Sequence, residues 1–88
     1  MASPVATTLA AAIALVRADV SGVLRNDFNQ AVAAWAVSPT LVNLVAQLDL
    51  FIGEAAVIVA GLPADVAAKL APLAAAQATA AAATPPTA

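Results

Sequence analysis

Between Leu41 and Leu62 the apolar residues keep a seven-residue beat. Leu41, Val45, Leu48, Ile52, Ala55, Val59 and Leu62 are separated alternately by four and three positions. On a helix that spacing forms one stripe, the pattern of a coiled-coil-like seam. Leu44, Phe51 and Ile58 recur at sevens and widen the stripe enough to touch more than one neighbour. A second line, Ala46, Asp49, Gly53, Ala56 and Ala60, is nearly all small and offers close approach on another side. Ser38-Pro39 provides a cap and a first-turn proline, and Gly61 with Pro63 provides the stop. The stretch 38–62 therefore reads as a central helix.

The segment before it also begins with a start signal, Ser3-Pro4. Val5, Leu9, Ile13, Val16, Val20, Leu24, Phe28, Val32 and Trp35 then recur with a mean step of about 3.75, slightly above the helical 3.6. This predicts one long helix over 4–37, on the order of 50 Å at 1.5 Å per residue. Gly22 weakens a helix interior, so a bend is expected near Ser21-Gly22. The short Ser38-Pro39 connection implies an antiparallel hairpin with the central helix. In that register Phe28 falls near Leu48, Leu24 near Ile52, and Arg25 opposite the region between Asp49 and Glu54. Val5 and Leu9 need cover from a third segment or another subunit.

A third, shorter helix is predicted from Pro63, with Asp65 and Lys69 in the favourable i, i+4 order and Pro72 dividing it. From Ala74 to Ala83 the chain is Ala at every position but Gln77 and Thr79, which permits helix to about Ala83 but offers little to bury. Pro85-Pro86 ends any helix. The expected fold is all-α: an antiparallel helical hairpin, a Pro-interrupted third helix and an Ala-rich tail. Residues 1–73 form the hairpin domain, and 74–88 an arm that orders on a neighbour.

Composition says what such a hairpin must do with its surface. Eight of the 88 residues are charged, 9%, whereas 64% are hydrophobic. A soluble domain usually carries about 25% charged residues. A chain this short buries only about 60–65% of its unfolded surface. Large apolar patches then remain, and such patches mark contacts. Three basic residues and a net charge of −2 make a phosphate-binding surface improbable, so no nucleic-acid partner is expected. With neither Cys nor His, thiolate and imidazole metal sites and the commonest general base are missing.

A membrane is the competing destination for apolar helices. The central helix carries Asp49 and Glu54, which together cost about 5–7 kcal/mol at the bilayer centre, against about 3–5 returned by its apolar residues. Insertion of this helix alone is therefore marginal or unfavourable. No basic face supports a helix lying in the interface. Val5 to Val16 resembles a signal-peptide core in hydropathy, but no basic residue precedes it and no clear cleavage site follows.

Catalytic candidates are sparse. Asp49 and Glu54 project roughly 140° apart on one helix and make no close carboxylate pair. Asp19 and Asp27, two turns apart, are expected to be solvated. The hydroxyl residues lack a His or nearby Lys to activate them. Gly22, Gly53 and Gly61 are isolated and form no phosphate loop. Phe28 and Trp35 near the bend read as packing before they read as a ligand-binding pair. No catalytic activity, cofactor, metal or small-molecule substrate is expected.

Trp35 at the bend, in Trp35-Ala36-Val37, resembles the small WxG-motif secreted proteins of Gram-positive bacteria and the Ala-rich PE proteins of mycobacteria. Val37 stands where the motif has glycine, and neither a terminal Tyr-x-x-x-Asp/Glu signal nor an early Pro-Glu pair is present. That resemblance implies a secreted helical-hairpin partner. In composition the chain is similar to Ala-rich helical subunits of virions and filaments. The leading expectation is a non-enzymatic assembly subunit, packing with itself or with other structural proteins in a soluble particle or virion. A small membrane-associated, holin-like or accessory protein is the alternative. The expected interface comprises Leu41, Leu44, Val45, Leu48, Phe51, Ile52, Ala55, Ile58, Val59 and Leu62, with Phe28 and Trp35.

Overall fold

A computed structural model describes residues 3–83, and among them all regular structure is helical. The helices are α1 (Pro4–Ala18), α2 (Val23–Val37), α3 (Leu41–Ile58), α4 (Ala64–Ala67) and α5 (Leu70–Ala83). A short 3-10 turn, Val59–Gly61, prolongs α3. The most extensive packing is of α1 on α5, then of α2 on α3, and α5 also lies against α3. The core runs through all of them: Leu15 and Val16 from α1, Leu24 from α2, Leu48, Phe51 and Ala55 from α3, Val66 from α4 and Leu73 from α5.

The long helix expected over 4–37 is two helices, broken at Asp19–Gly22. The break is chemical as well as steric. Asp19 stands at the first position of a turn and Gly22 at the fourth, with the Gly22 amide donating to the Asp19 carbonyl at 3.4 Å. Gly22 adopts φ +81°, a left-handed conformation that costs a residue with a Cβ about 1–2 kcal/mol. Gly22 precedes α2 without a capping side chain, so Asp19 supplies the cap from three residues earlier. Its carboxylate accepts from the Leu24 amide at 3.0 Å, and from the Ser21 amide and hydroxyl. The break also changes which residues face inward. Val5, Thr8, Ala12, Leu15 and Val16 are the buried face of α1, whereas Ile13 and Val20 of the expected stripe are exposed. The small residues on that inner face suit the Ala-rich helix α5 that lies on α1.

At the next corner Thr40, not Ser38, caps α3, its hydroxyl accepting from the Asn43 amide at 3.1 Å. Ser38 and Pro39 are spent on the turn itself. The Asn43 side chain closes that turn by donating to the Ser38 carbonyl at 2.9 Å and to the Ala34 carbonyl at 3.3 Å. Trp35 Nε1 donates to the Thr40 carbonyl at 3.1 Å, which holds the indole across the corner.

The third helical segment is divided upstream of Pro72, not at it. Pro72 occupies the first turn of α5, where a missing N–H costs nothing. The break comes earlier, at Ala68-Lys69. In a continuous helix the Pro72 ring would strike the Ala68 carbonyl, four residues before it. The expected arm 74–88 is helix as far as Ala83, with Gln77 and Ala80 buried. Its partner is this chain's own α1 and α3, and Gln77 Nε2 donates to the Val45 carbonyl of α3 at 2.9 Å. Val5 is covered and Leu9 half-covered. Residues 84–88, with Pro85-Pro86, lie outside the described residues.

Candidate interaction surface

The predicted interface residues divide by what the chain itself does with them. Leu48, Phe51, Ala55 and Val59 are buried in the core. Phe28, Leu44, Ile52, Ile58 and Leu62 pack half-buried against it. Val45 and Trp35 are half-buried, and Leu41 is exposed. Most of the seven-residue stripe is therefore used inside the chain's own fold. The Phe28 and Phe51 rings meet edge-to-face, with centroids 5.3 Å apart and planes at 75°.

What α3 leaves outward is a second seam. Ala46, Leu50, Gly53, Val57 and Ala60 are separated by four, three, four and three residues, the spacing of a coiled-coil stripe. Every one of them is exposed, Leu50 by 61% and Val57 by 77%. A Cβ built on Gly53 meets nothing within 4 Å. Asp49 and Glu54 flank this seam on its two sides. The small line Ala46, Asp49, Gly53, Ala56 and Ala60 lies on the same exposed face. The small line is plain in the sequence, whereas Leu50 and Val57 fall between the two stripes.

Two recesses lie beside α2 and α3. One, of about 140 Å³, is walled by Leu9 of α1, Phe28, Val32 and Trp35 of α2, and Leu44 and Leu48 of α3. Phe28 and Trp35, paired at the bend by the sequence, thus line one apolar hollow. The second, of about 180 Å³, gathers Asp27 and Gln30 of α2 with Gln47, Phe51 and Glu54 of α3. Here Asp27, rather than Arg25, is the α2 side chain that meets Glu54. Arg25 lies two positions away, roughly 200° around the helix.

The two aspartates expected to be solvated are not. Asp19 is 3% exposed, and the Ser21 hydroxyl and the Leu24 amide hold its carboxyl below the ordinary carboxylate value. Asp27 is half-buried. Burial first, and then the Glu54 carboxyl that lines the same recess, push it up to about 6. Among the described residues no three acidic, His or Cys side chains gather where a metal ion could be held. Gln77 is buried with its Oε1 unpartnered, a polar commitment in an Ala-rich helix that periodicity does not reveal. No protein-family model, no curated protein and no solved structure matches this chain.

Proposed function

We propose that the chain is a non-enzymatic assembly subunit, built on the α2–α3 hairpin and joined to copies of itself or to a larger shell or fibre through α3. The carrying observation is the exposed Ala46-Leu50-Gly53-Val57-Ala60 seam, whose alternating four-three spacing has no partner among the described residues. A seam from residue 46 to 60 is about 21 Å long at 1.5 Å per residue. A coiled-coil stripe left in water exposes apolar surface that association would bury. Asp49 and Glu54 flank it without a basic counterpart on α3. Like-charge repulsion between two such seams is screened by salt, so self-association strengthens as ionic strength rises.

A second reading, membrane association, has its own observation. Leu41–Gly61 and Ala64–Ala83 are long and apolar enough to cross a bilayer, with mean hydropathies of 1.8 and 1.2 over their most apolar windows. Light-scattering mass of the full chain, with and without detergent, separates the two. Discrete oligomers in plain buffer support assembly. A chain that stays dispersed only in detergent, and floats with liposomes, supports the membrane reading instead.

A further inference from the structure

We propose that Asp27 and Glu54 share a single proton across the α2–α3 seam, forming a clasp between the two helices that strengthens in acid. The proposal concerns the folded subunit and does not rest on the assembly reading.

The geometry leaves few alternatives for Asp27. Its Oδ2 is sealed from solvent and has no hydrogen-bond donor among the described residues. The group beside it is another carboxyl, on the facing helix. Two carboxylates have no proton between them and repel. One proton taken from bulk water converts the pair into an O–H donor and an O⁻ acceptor, a short charge-assisted bond. The other polar residues lining the recess, Gln30 and Gln47, are neutral, Ala31, Leu50 and Phe51 are apolar, and Gln47 already donates to the Asn43 side chain at 3.2 Å.

Other charges do not supply a substitute. On α2 itself Arg25 is exposed. From α1 come Arg17, also exposed, and Asp19, committed to the α2 cap. From α3 comes Asp49, on the outward face. Among the described residues, Glu54 is the charge that acts on Asp27. Burial and this neighbour both favour the protonated form. The folded chain therefore keeps a proton that the unfolded chain releases between the ordinary value of 3.8 and about 6. The added stability is complete at the acid end of that window and is lost as pH rises through about 6.

The test is thermal unfolding of the full chain at fixed concentration between pH 4.5 and 7.5, a range in which Asp19 stays ionised. The wild type is expected to melt several degrees higher at pH 5 than at pH 7.5. Asp27→Asn should flatten that slope and raise the melting temperature at pH 7.5. Glu54→Gln should move the slope to lower pH. A carboxyl-carbon NMR titration of the wild type gives a readout that needs no variant to fold. A midpoint near 6 for Asp27 supports the clasp. A midpoint near 4, or a pH slope that survives in Asp27→Asn, overturns it.

Discussion

The edge-to-face contact of Phe28 with Phe51 is the sharpest place to probe the packing of α2 on α3. Phe51 is 1% exposed, and Phe28 is half-buried against it. An 88-residue domain at 0.05–0.15 kcal/mol per residue has about 4–13 kcal/mol of stability in all. Truncating a buried Phe to Ala costs about 3–5 kcal/mol, which leaves little folded protein to measure. Leu is the better probe because it keeps most of the volume. Phe51→Leu should cost about 1–2 kcal/mol, and Phe28→Leu, with less area to lose, about 1. Edge-to-face pairs are worth about 0.5–1.5 kcal/mol beyond their buried area. Each single variant loses that term in full, so the double variant should cost less than the sum of the singles by the same 0.5–1.5 kcal/mol. Urea unfolding followed by circular dichroism measures all four proteins. An unchanged m-value shows that the unfolded reference is the same throughout. Additivity within about 0.3 kcal/mol would mean that the rings do not meet as described.

Two further outcomes follow from the buried polar groups. Asp19→Ala removes the cap of α2 and should lower the melting temperature at pH 7. Because the folded state lowers the Asp19 value, its contribution is present above 3.8 and disappears as pH falls through the folded value. The gap between wild type and variant should therefore close in strong acid, opposite in sign to the Asp27 effect; a gap independent of pH would contradict the cap. Gln77→Leu fills the same space and removes the unpartnered Oε1, while Val45 keeps its carbonyl inside the α3 ladder. Removal of an unsatisfied buried polar atom, worth about 1–3 kcal/mol, offsets the lost hydrogen bond, worth about 1, so stability should hold or rise by about 1. If α5 were a free arm, neither this substitution nor a charge at Ala80 would move the unfolding curve.

How far the fold was legible depended on whether a residue's signal was local. The α3 stripe and its stop at Gly61 could be read directly, because large side chains at four-three spacing mark one face. The break at Asp19-Val20-Ser21-Gly22 carried a turn signature, Asp first and Gly fourth. The apolar periodicity that ran past it on both sides was the stronger-looking signal and masked it. In α5 the failure has another cause. Beyond Leu73 Ala occupies every position of α5 but Gln77 and Thr79, so no stripe distinguishes the face toward α1 from the face toward water. After Leu73 it is Gln77, buried by its bond to Val45, that marks the docking, and a lone Gln reads as solvent-facing. The meeting of Asp27 with Glu54 depends on the rotation of α2 about its axis. The hairpin register alone put Arg25 there, two residues away. The outward seam of α3 was half visible: its Ala and Gly were noted, but Leu50 and Val57 acquire meaning only once the inner stripe is seen to be spent within the chain.

The proposed assembly role turns on whether that outward seam is covered in solution. Gly53 and Val57 are exposed and lie outside both the core and the Asp27–Glu54 recess, so Gly53→Glu/Val57→Glu should leave the fold, read by circular dichroism, unchanged. The decisive quantity is the light-scattering mass of the wild type beside this double variant, in plain buffer at tens of micromolar. The wild type should run at a discrete multiple of 8.6 kDa and grow with added salt, and the variant should fall back to 8.6 kDa. A wild type that is monodisperse at 8.6 kDa across that range, or an oligomer indifferent to both substitutions, would contradict it.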